Sequence, residues 1–485
     1  MTPKSDAEHV DIMPVQEELA NIANQEEHDL GKLESIKKYP LAFLWSLYAV
    51  WCVLLVSFEN QASGNIIGVP EFRKDFGRPF EGVIGIVGAL GCGAIADWLG
   101  RRATIIICLV ITYAAITMEF VATTNELFFG GKFLNGFAVG ALASVTVSYI
   151  GEVAPLALRG FLTCLSALAY TLGPFVVALI VNWTGTYENR WAYRAVFCAQ
   201  YGFAAIATVF VPFMPESPWW LASVGKSEKA LQALNRLGQK GEDGEKRLAA
   251  INQTLEEIKR ETEGASYLNA SESIVFVASY STYYIQLAGF STEMSFKLQI
   301  VQQVISLIGN VMSWFLVDKV GRRALTFWGL VVLTIILFLT GGLAVAGTPG
   351  AIKGTVALIL IYCWWYNVTI GATAYTVLVE VSTARLRVKT IAIGLATQSL
   401  LNMIWSFVLP LLFNPDKANL SAKLAFIFGG FAVFSLVFLW FYHPETADRT
   451  YEELDEMFVK KVPARKFKDF KTDTQAVGEA VKAQE

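Results

Sequence analysis

A carboxylate in the middle of a long apolar run is the first feature with chemical potential: Glu59 lies mid-span within residues 41–68. A charge at membrane depth is costly, so it is usually functional and paired. Glu119 stands near the end of another apolar run, where it is expected to snorkel or be solvated. Planar amides and aromatics occur inside other runs: Gln302, Gln303, Asn367, Gln398 and Asn402, with Trp365, Tyr366, Tyr375 and Trp405. Gln398 and Asn402 share a helix face, with Trp405 one turn further on. Such side chains either bind a polar solute or bond neighbouring helices together.

A second set of charges is duplicated. Asp97-Trp98-Leu99-Gly100-Arg101-Arg102 returns as Asp318-Lys319-Val320-Gly321-Arg322-Arg323. Glu152-Val153-Ala154-Pro155 with Arg159 returns as Glu380-Val381-Ser382-Thr383 with Arg387, at the same Glu-to-Arg spacing. Each string sits where one apolar run stops and the next begins, so the chain is a duplicated membrane unit. The charges have the makings of a gate. Asp97 and Asp318 can be held by helix dipoles and by Arg101, Arg102, Arg322 and Arg323. Glu152, Arg159, Glu380 and Arg387 can pair across the two copies, closing and opening at small cost. The same arginines also act in topology, keeping their loops on the cytoplasmic side.

Enzymatic chemistry is not indicated. There is no Gly-x-Ser-x-Gly string, and the histidines (His9, His28, His443) lie in tails or at a span end, offering no metal cluster or proton relay. Gly85, Gly88, Gly91 and Gly93 lack a following Lys-Ser/Thr, so helix packing explains them better than a phosphate loop. The cysteines lie in apolar segments without metal-ligand spacing, and no disulfide, cofactor or metal is expected. A net charge of −3 argues against nucleic acid as a partner.

The elements that must position these residues are membrane helices. The chain is 54% hydrophobic and 17% charged, against about 25% charge in soluble domains. About twelve spans are expected: 41–68, 82–96, 103–122, 127–150, 161–181 and 191–214, then 274–288, 296–317, 325–346, 354–379, 390–413 and 424–442. The second and seventh are shorter than the ~20 residues a crossing needs. This divides the chain into an N-terminal tail (1–40), a six-helix bundle (41–214), a central loop (215–272), a second six-helix bundle (273–442) and a C-terminal tail (443–485). The Lys/Arg-rich central loop is expected to be cytoplasmic, and an even span count puts both termini there too. The repeated loops then share that face. Two glycosylation sequons, at Asn182 and Asn419, fall on the other face.

Gly93-x-x-x-Asp97-x-x-Gly100-Arg101-Arg102 with its copy, Pro215-Glu216-Ser217-Pro218-Trp219-Trp220-Leu221 and Pro444-Glu445-Thr446 resemble the sugar-porter branch of the major facilitator superfamily. Finer strings resemble fungal α-glucoside (maltose-type) permeases: Ser281-Thr282-Tyr283-Tyr284, Ser313-Trp314-Phe315-Leu316, Tyr366-Asn367-Val368-Thr369-Ile370-Gly371, and Arg449-Thr450-Tyr451-Glu452-Glu453-Leu454-Asp455. The resemblance implies an all-α major facilitator fold, two pseudo-symmetric bundles around a central sugar site, and proton symport by a monomer in the plasma membrane. Phe58-Glu59-x-x-x-x-Gly64 is similar to the family's Tyr-Asp-x-x-x-x-Gly, which makes Glu59 the proton site, and Lys132 stands where many symporters carry the arginine facing it. Gln302 aligns with a family glutamine of the eighth span. Sugars are held by planar hydrogen-bonding groups and aromatic faces, so Gln302, Gln303, Asn367, Tyr366, Tyr375, Gln398, Asn402 and Trp405 form the expected site. Ala167, Gly371-Ala372 and Tyr375 depart from the hexose-porter pattern. Uptake of a hexose, another polyol or quinate is the alternative. A non-transporting sensor is disfavoured by the short tail after His443.

Overall fold

The computed structural model describes residues 31–66, 69–76, 98–260, 292–346, 348–381, 420–447, 449–460 and 462–472, with scattered positions of 390–412. The described residues are helical, joined by short turns. A short helix α1 (Lys32–Lys38) leads into α2 (Pro40–Ile66), followed by short α3 (Pro70–Phe76). The first bundle continues with α4 (Arg101–Val121), α5 (Asn125–Val153), α6 (Leu156–Thr184) and α7 (Trp191–Phe210). Helices α8 (Pro218–Ser223), α9 (Ser227–Arg236) and α10 (Glu242–Arg260) form the linking segment. The second bundle comprises α11 (Thr292–Val320), α12 (Arg322–Ala346), α13 (Pro349–Val368), α14 (Ile370–Val381) and α15 (Ala425–Tyr442), and α16 (Tyr451–Val459) follows it.

Nine spans long and apolar enough to cross a membrane occur among the described residues, at nine of the twelve expected places. The short expected spans 82–96 and 274–288 lie outside the described residues, and 390–413 is described only at scattered positions. Helix starts follow local chemistry. The Thr124 and Thr348 hydroxyls accept from the Leu127 and Ala351 amides at 3.4 and 3.2 Å, occupying donors that the first turn leaves open. Buried Ser46, Thr146, Ser148 and Thr163 bond back to carbonyls one turn earlier, so their hydroxyls enter the apolar interior satisfied.

The expected tenth span is not one helix. It breaks at Thr369 (φ −115°, ψ −89°), between α13 and α14. Thr369 packs closely on Gly329 of α12, where a side chain would not fit (a Cβ there would lie 2.5 Å from the threonine Cβ), and the Tyr366 ring packs over Gly371. The Thr369 hydroxyl donates to the Trp365 carbonyl at 2.7 Å, occupying a backbone group at the break. Broken helices at membrane depth are tolerated where other groups take up the released backbone bonds.

One apolar core joins α2 with α4 to α7, and a second joins α12, α13 and α15. Helix α6 packs on α11 and α14, making the seam between bundles. Across it, Thr163 near the start of α6 bonds Thr376 near the end of α14 at 2.8 Å. The turns before α4 and α12 therefore share one face, here termed the motif face; the opposite side is the far face.

Candidate functional site

Among the described residues, three polar constellations interrupt the apolar interior. The first lies towards the far face of the first bundle. Lys132 Nζ of α5 sits 2.5 Å from Glu59 Oε1 of α2 and 3.0 Å from Glu119 Oε2 of α4. Asn135 Nδ2, one turn along α5, donates to Glu119 Oε1 at 3.1 Å. The Phe128 and Phe197 rings lie 5.7 and 5.0 Å from the ammonium, close enough for cation–π attraction. Glu59 is buried and Glu119 fully so. Two expectations are corrected here. Glu59 is not mid-span, because α2 runs from Pro40 to Ile66 and places it in the third nearest the far face. Glu119 does not snorkel: an ammonium and an amide inside the bundle meet its carboxylate, which a buried ion needs in place of water.

The second constellation runs along the seam. Buried Gln299, Gln303, Ser306, Asn310 and Ser313 lie on one face of α11, at alternating spacings of four and three. They meet the first bundle at two levels. Gln299 Nε2 donates to Asn65 Oδ1 of α2 at 2.7 Å, towards the far face. Deeper, Asn310 Nδ2 donates to Thr171 Oγ1 of α6 at 2.5 Å and to Asn367 Oδ1 of α13 at 3.0 Å. Asn367 is therefore held just before the break at Thr369. Gln302 Nε2 donates to Cys363 Sγ at 3.2 Å, while its buried Oε1 and the buried Trp314 Nε1 have no hydrogen-bond partner among the described residues. Tyr375 of α14 stacks on Tyr170 of α6, centroids 5.0 Å apart and planes at 7°. Planar amides, hydroxyls and aromatic faces from both bundles thus converge at the seam, the combination that holds a hydroxylated solute.

The third constellation is double. At Gly100 the chain turns with φ 93°, and at Gly321 with φ 90°, a conformation costly for any residue with a side chain. A carboxylate closes against each turn. Glu216 accepts from the Arg101 and Arg102 amides at 2.8 and 3.2 Å; Glu445 accepts from those of Arg322 and Arg323 at 2.8 and 3.2 Å. Each carboxylate thus takes up the open amides and positive dipole end of a membrane helix. Burial raises the Glu216 carboxyl, and the Ser217, Arg101 and Arg102 amides oppose that rise. Arg101 then grips buried Glu152 with Nε at 3.1 Å and Nη2 at 2.8 Å. Arg322 donates through Nη2 to Glu380 Oε1 at 3.2 Å, and Thr446 Oγ1 takes the other oxygen at 2.6 Å.

A scan against protein-family models matches residues 82–458, most of the chain, to the family described as sugar (and other) transporter. The chain belongs to that family. It is a transporter of the major facilitator fold and not an enzyme. Maltose permease MAL31 of Saccharomyces cerevisiae is 28% identical over 531 aligned residues, covering 100% of this chain and 86% of the permease. The general alpha-glucoside permease of the same yeast is 27% identical, with 92% and 80% covered. Among solved structures, the proton:xylose symporter XylE superposes with a TM-score of 0.72 at 22% identity, over 86% of this chain and 98% of that one.

Within this sugar transporter, the expected residues divide. Glu59 meets Lys132, and Asn367 joins the seam. Gln303 and Tyr366 are buried, and the Tyr366 ring stacks near Tyr362, 6.5 Å between centroids. Trp405 packs on Phe428, 4.7 Å between centroids, within the second bundle's apolar core. Gln398 is half-buried. Asn402, Asp97 and Arg387 lie outside the described residues, as does the Asp318 side chain. Glu152 and Glu380 each pair with the first arginine of their own bundle's turn, partners that the expected pairing across the copies did not include. Across the seam, Glu380 also feels the charge of buried Arg159.

Sequence reasoning missed Asn310, Thr171, Glu216 and Glu445 as site residues. The polar stripe on α11 was the available signal for Asn310. For the two glutamates it was the Pro-Glu string that ends each bundle.

Proposed function

We propose that this transporter carries an α-glucoside such as maltose into the cell together with a proton, by alternating access of its two bundles about the seam. The observation that carries the coupling is the buried Glu59–Lys132 pair. A carboxylate held by an ammonium away from water has two stable conditions: ionised and paired, or protonated and released. Exchange between them changes what α5 is bound to, and so links proton occupancy to bundle position. The yeast relatives named for maltose and alpha-glucosides support the substrate class. The sugar would lie at the seam, against Gln302, Gln303, Asn310, Asn367, Tyr366 and Tyr375, with Gln398, Asn402 and Trp405 contributing from the eleventh span. The motif face, with both termini, would face the cytoplasm of a monomer in the plasma membrane.

On the motif face, Asp97, Arg101, Arg102, Glu152 and Arg159, with Asp318, Arg322, Arg323, Glu380 and Arg387, would act as the gate that holds the outward-facing state. The test is uptake of labelled maltose by cells expressing the chain, with and without a protonophore. Accumulation should collapse with the protonophore and in Glu59→Gln, while Glu59→Gln keeps sugar exchange. Undiminished accumulation by that variant removes Glu59 from coupling.

A further inference from the structure

The Glu59–Lys132 pair does not stand alone, and its third member has no role in the reading above. Glu119 is fully buried, ion-paired with Lys132 at 3.0 Å and hydrogen-bonded by Asn135 at 3.1 Å. Two carboxylates therefore flank one ammonium inside the bundle. The close crossing of α4 and α5 builds the arrangement in. A Cβ on Gly131, next to Lys132, would stand 2.9 Å from Glu119 Cγ and 3.1 Å from its backbone nitrogen.

The charged and titratable groups around Glu119 can be named helix by helix. Helix α5 offers Lys132, with neutral Asn135, and α2 offers Glu59 through Lys132. Helix α7 offers Arg194, whose guanidinium donates to the Ala122 carbonyl at 3.3 Å and lies over Phe120, and Tyr201, whose hydroxyl meets Thr117 at 2.7 Å.

We propose that Glu119 is a second acid of the proton-coupling site: it keeps Lys132 when Glu59 accepts a proton, and so sets the pH at which Glu59 releases the lysine. This rests on Glu59 being the coupling carboxylate. With both acids ionised, the site holds one ammonium between two negative charges. A proton from solvent goes to the Glu59 carboxylate and relieves the excess, while Lys132 stays charged and paired through Glu119. No bond to Lys132 has to be left empty, so protonation proceeds without exposing an uncompensated buried charge. Asn135 holds the other Glu119 oxygen in place.

Without the Glu119 charge, Lys132 serves Glu59 alone and the like-charge repulsion on Glu59 is gone; both changes favour ionised Glu59. The test is an infrared titration of the full-length protein in lipid vesicles from about pH 4 to about pH 10, following the carboxylic-acid band that Glu59→Gln removes. In Glu119→Gln the midpoint of that band should move to lower pH by about one unit or more. Glu119→Asp, which keeps the charge, should restore most of it and serves where Glu119→Gln folds poorly. A midpoint in Glu119→Gln equal to wild type, Glu119→Asp behaving like Glu119→Gln, or no titrating Glu59 band overturns the proposal. Maltose uptake that ignores a protonophore while the midpoint shift is present overturns the coupling reading and leaves the three-residue site standing.

Discussion

The turn before α4 and its copy before α12 share a backbone and differ in what their arginines hold. Both use a positive-φ glycine, and both have a carboxylate across two helix amides at matching distances. Beyond that the copies part. In the first bundle Arg101 takes both oxygens of Glu152, and Arg102 reaches the Pro212 carbonyl within its own bundle. In the second, Arg322 takes one oxygen of Glu380 and Thr446 the other, while Arg323 reaches past the bundle to the Ala464 carbonyl. The residue before each Pro-Glu differs too: buried Met214 in one, buried His443 in the other. The shared part is what fixes a helix end. The divergent part distributes the grip, concentrated on one ion pair in the first bundle and spread over a hydroxyl and the tail in the second.

The largest expected contrast comes from removing the first arginine of each turn. Arg101→Ala leaves Glu152 buried with its ion-pair partner gone, and should cost about 3–5 kcal/mol. Arg322→Ala leaves Glu380 with the Thr446 hydroxyl and the nearby charge of Arg159, and should cost about 1.5–3 kcal/mol. Thermal unfolding of the purified protein in detergent measures both. Equal losses, or the reverse order, would break the claim that the second cluster shares its load.

His443 gives the next contrast. Burial, helped by the Arg323 charge, pushes its imidazole down to about 4, against about 6.5 for a free side chain. A base depressed in the folded state lends stability above its unfolded value and loses it as pH falls through the folded one. Stability should therefore decline between about pH 6.5 and about pH 4, by about 3 kcal/mol in all. His443→Met, which installs the first bundle's residue, should remove that part of the decline. An unaltered pH profile in the variant would show that His443 meets solvent before the bundle unfolds.

These contrasts also mark how far the sequence could be read. Helix positions were legible because apolar runs of membrane length have one stable conformation, and the duplication was legible as a string. Lys132 as partner of Glu59 was legible only through family resemblance, since the two belong to different helices. Glu119 was misplaced because nearness to a span end says nothing about which way a side chain faces. The carboxylate caps escaped for a different reason. Glu216 and Glu445 reach amides more than a hundred positions earlier in the chain, and no local pattern encodes that approach. The break at Thr369 likewise packs against Gly329 on another helix, a contact that no local pattern shows.

The shared part of the turns makes a symmetric prediction. A Cβ at Gly100 would lie 2.6 Å from a Glu216 oxygen, and one at Gly321 would lie 2.5 Å from a Glu445 oxygen. Both positions also need positive φ. Gly100→Ala and Gly321→Ala should therefore each cost about 1–3 kcal/mol, and by similar amounts. A marked difference in the two melting shifts would mean that the caps, and not only the arginine contacts, have diverged.

The smallest effect belongs to the second arginine. Arg323 donates to the Trp440 carbonyl at 2.9 Å and the Ala464 carbonyl at 3.1 Å, so it ties α12, α15 and the tail together. Among the described residues Arg102 makes no such link to a tail; its guanidinium reaches Pro212, at the end of its own bundle. A lysine cannot fork to two carbonyls in the same plane, so Arg323→Lys should lose about 1 kcal/mol. The tail is not released by that change alone. Arg465 stacks on Trp440 and Phe441 at 4.9 and 4.8 Å and donates to the Trp440 carbonyl at 3.3 Å. Limited proteolysis after Lys460 should therefore be little changed in Arg323→Lys and in Arg102→Lys. It should quicken in Arg323→Lys combined with Arg465→Ala, because only the double variant removes both ties. Faster cleavage in Arg323→Lys alone would make the guanidinium fork, and not the aromatic stack, the contact that holds the tail to the second bundle.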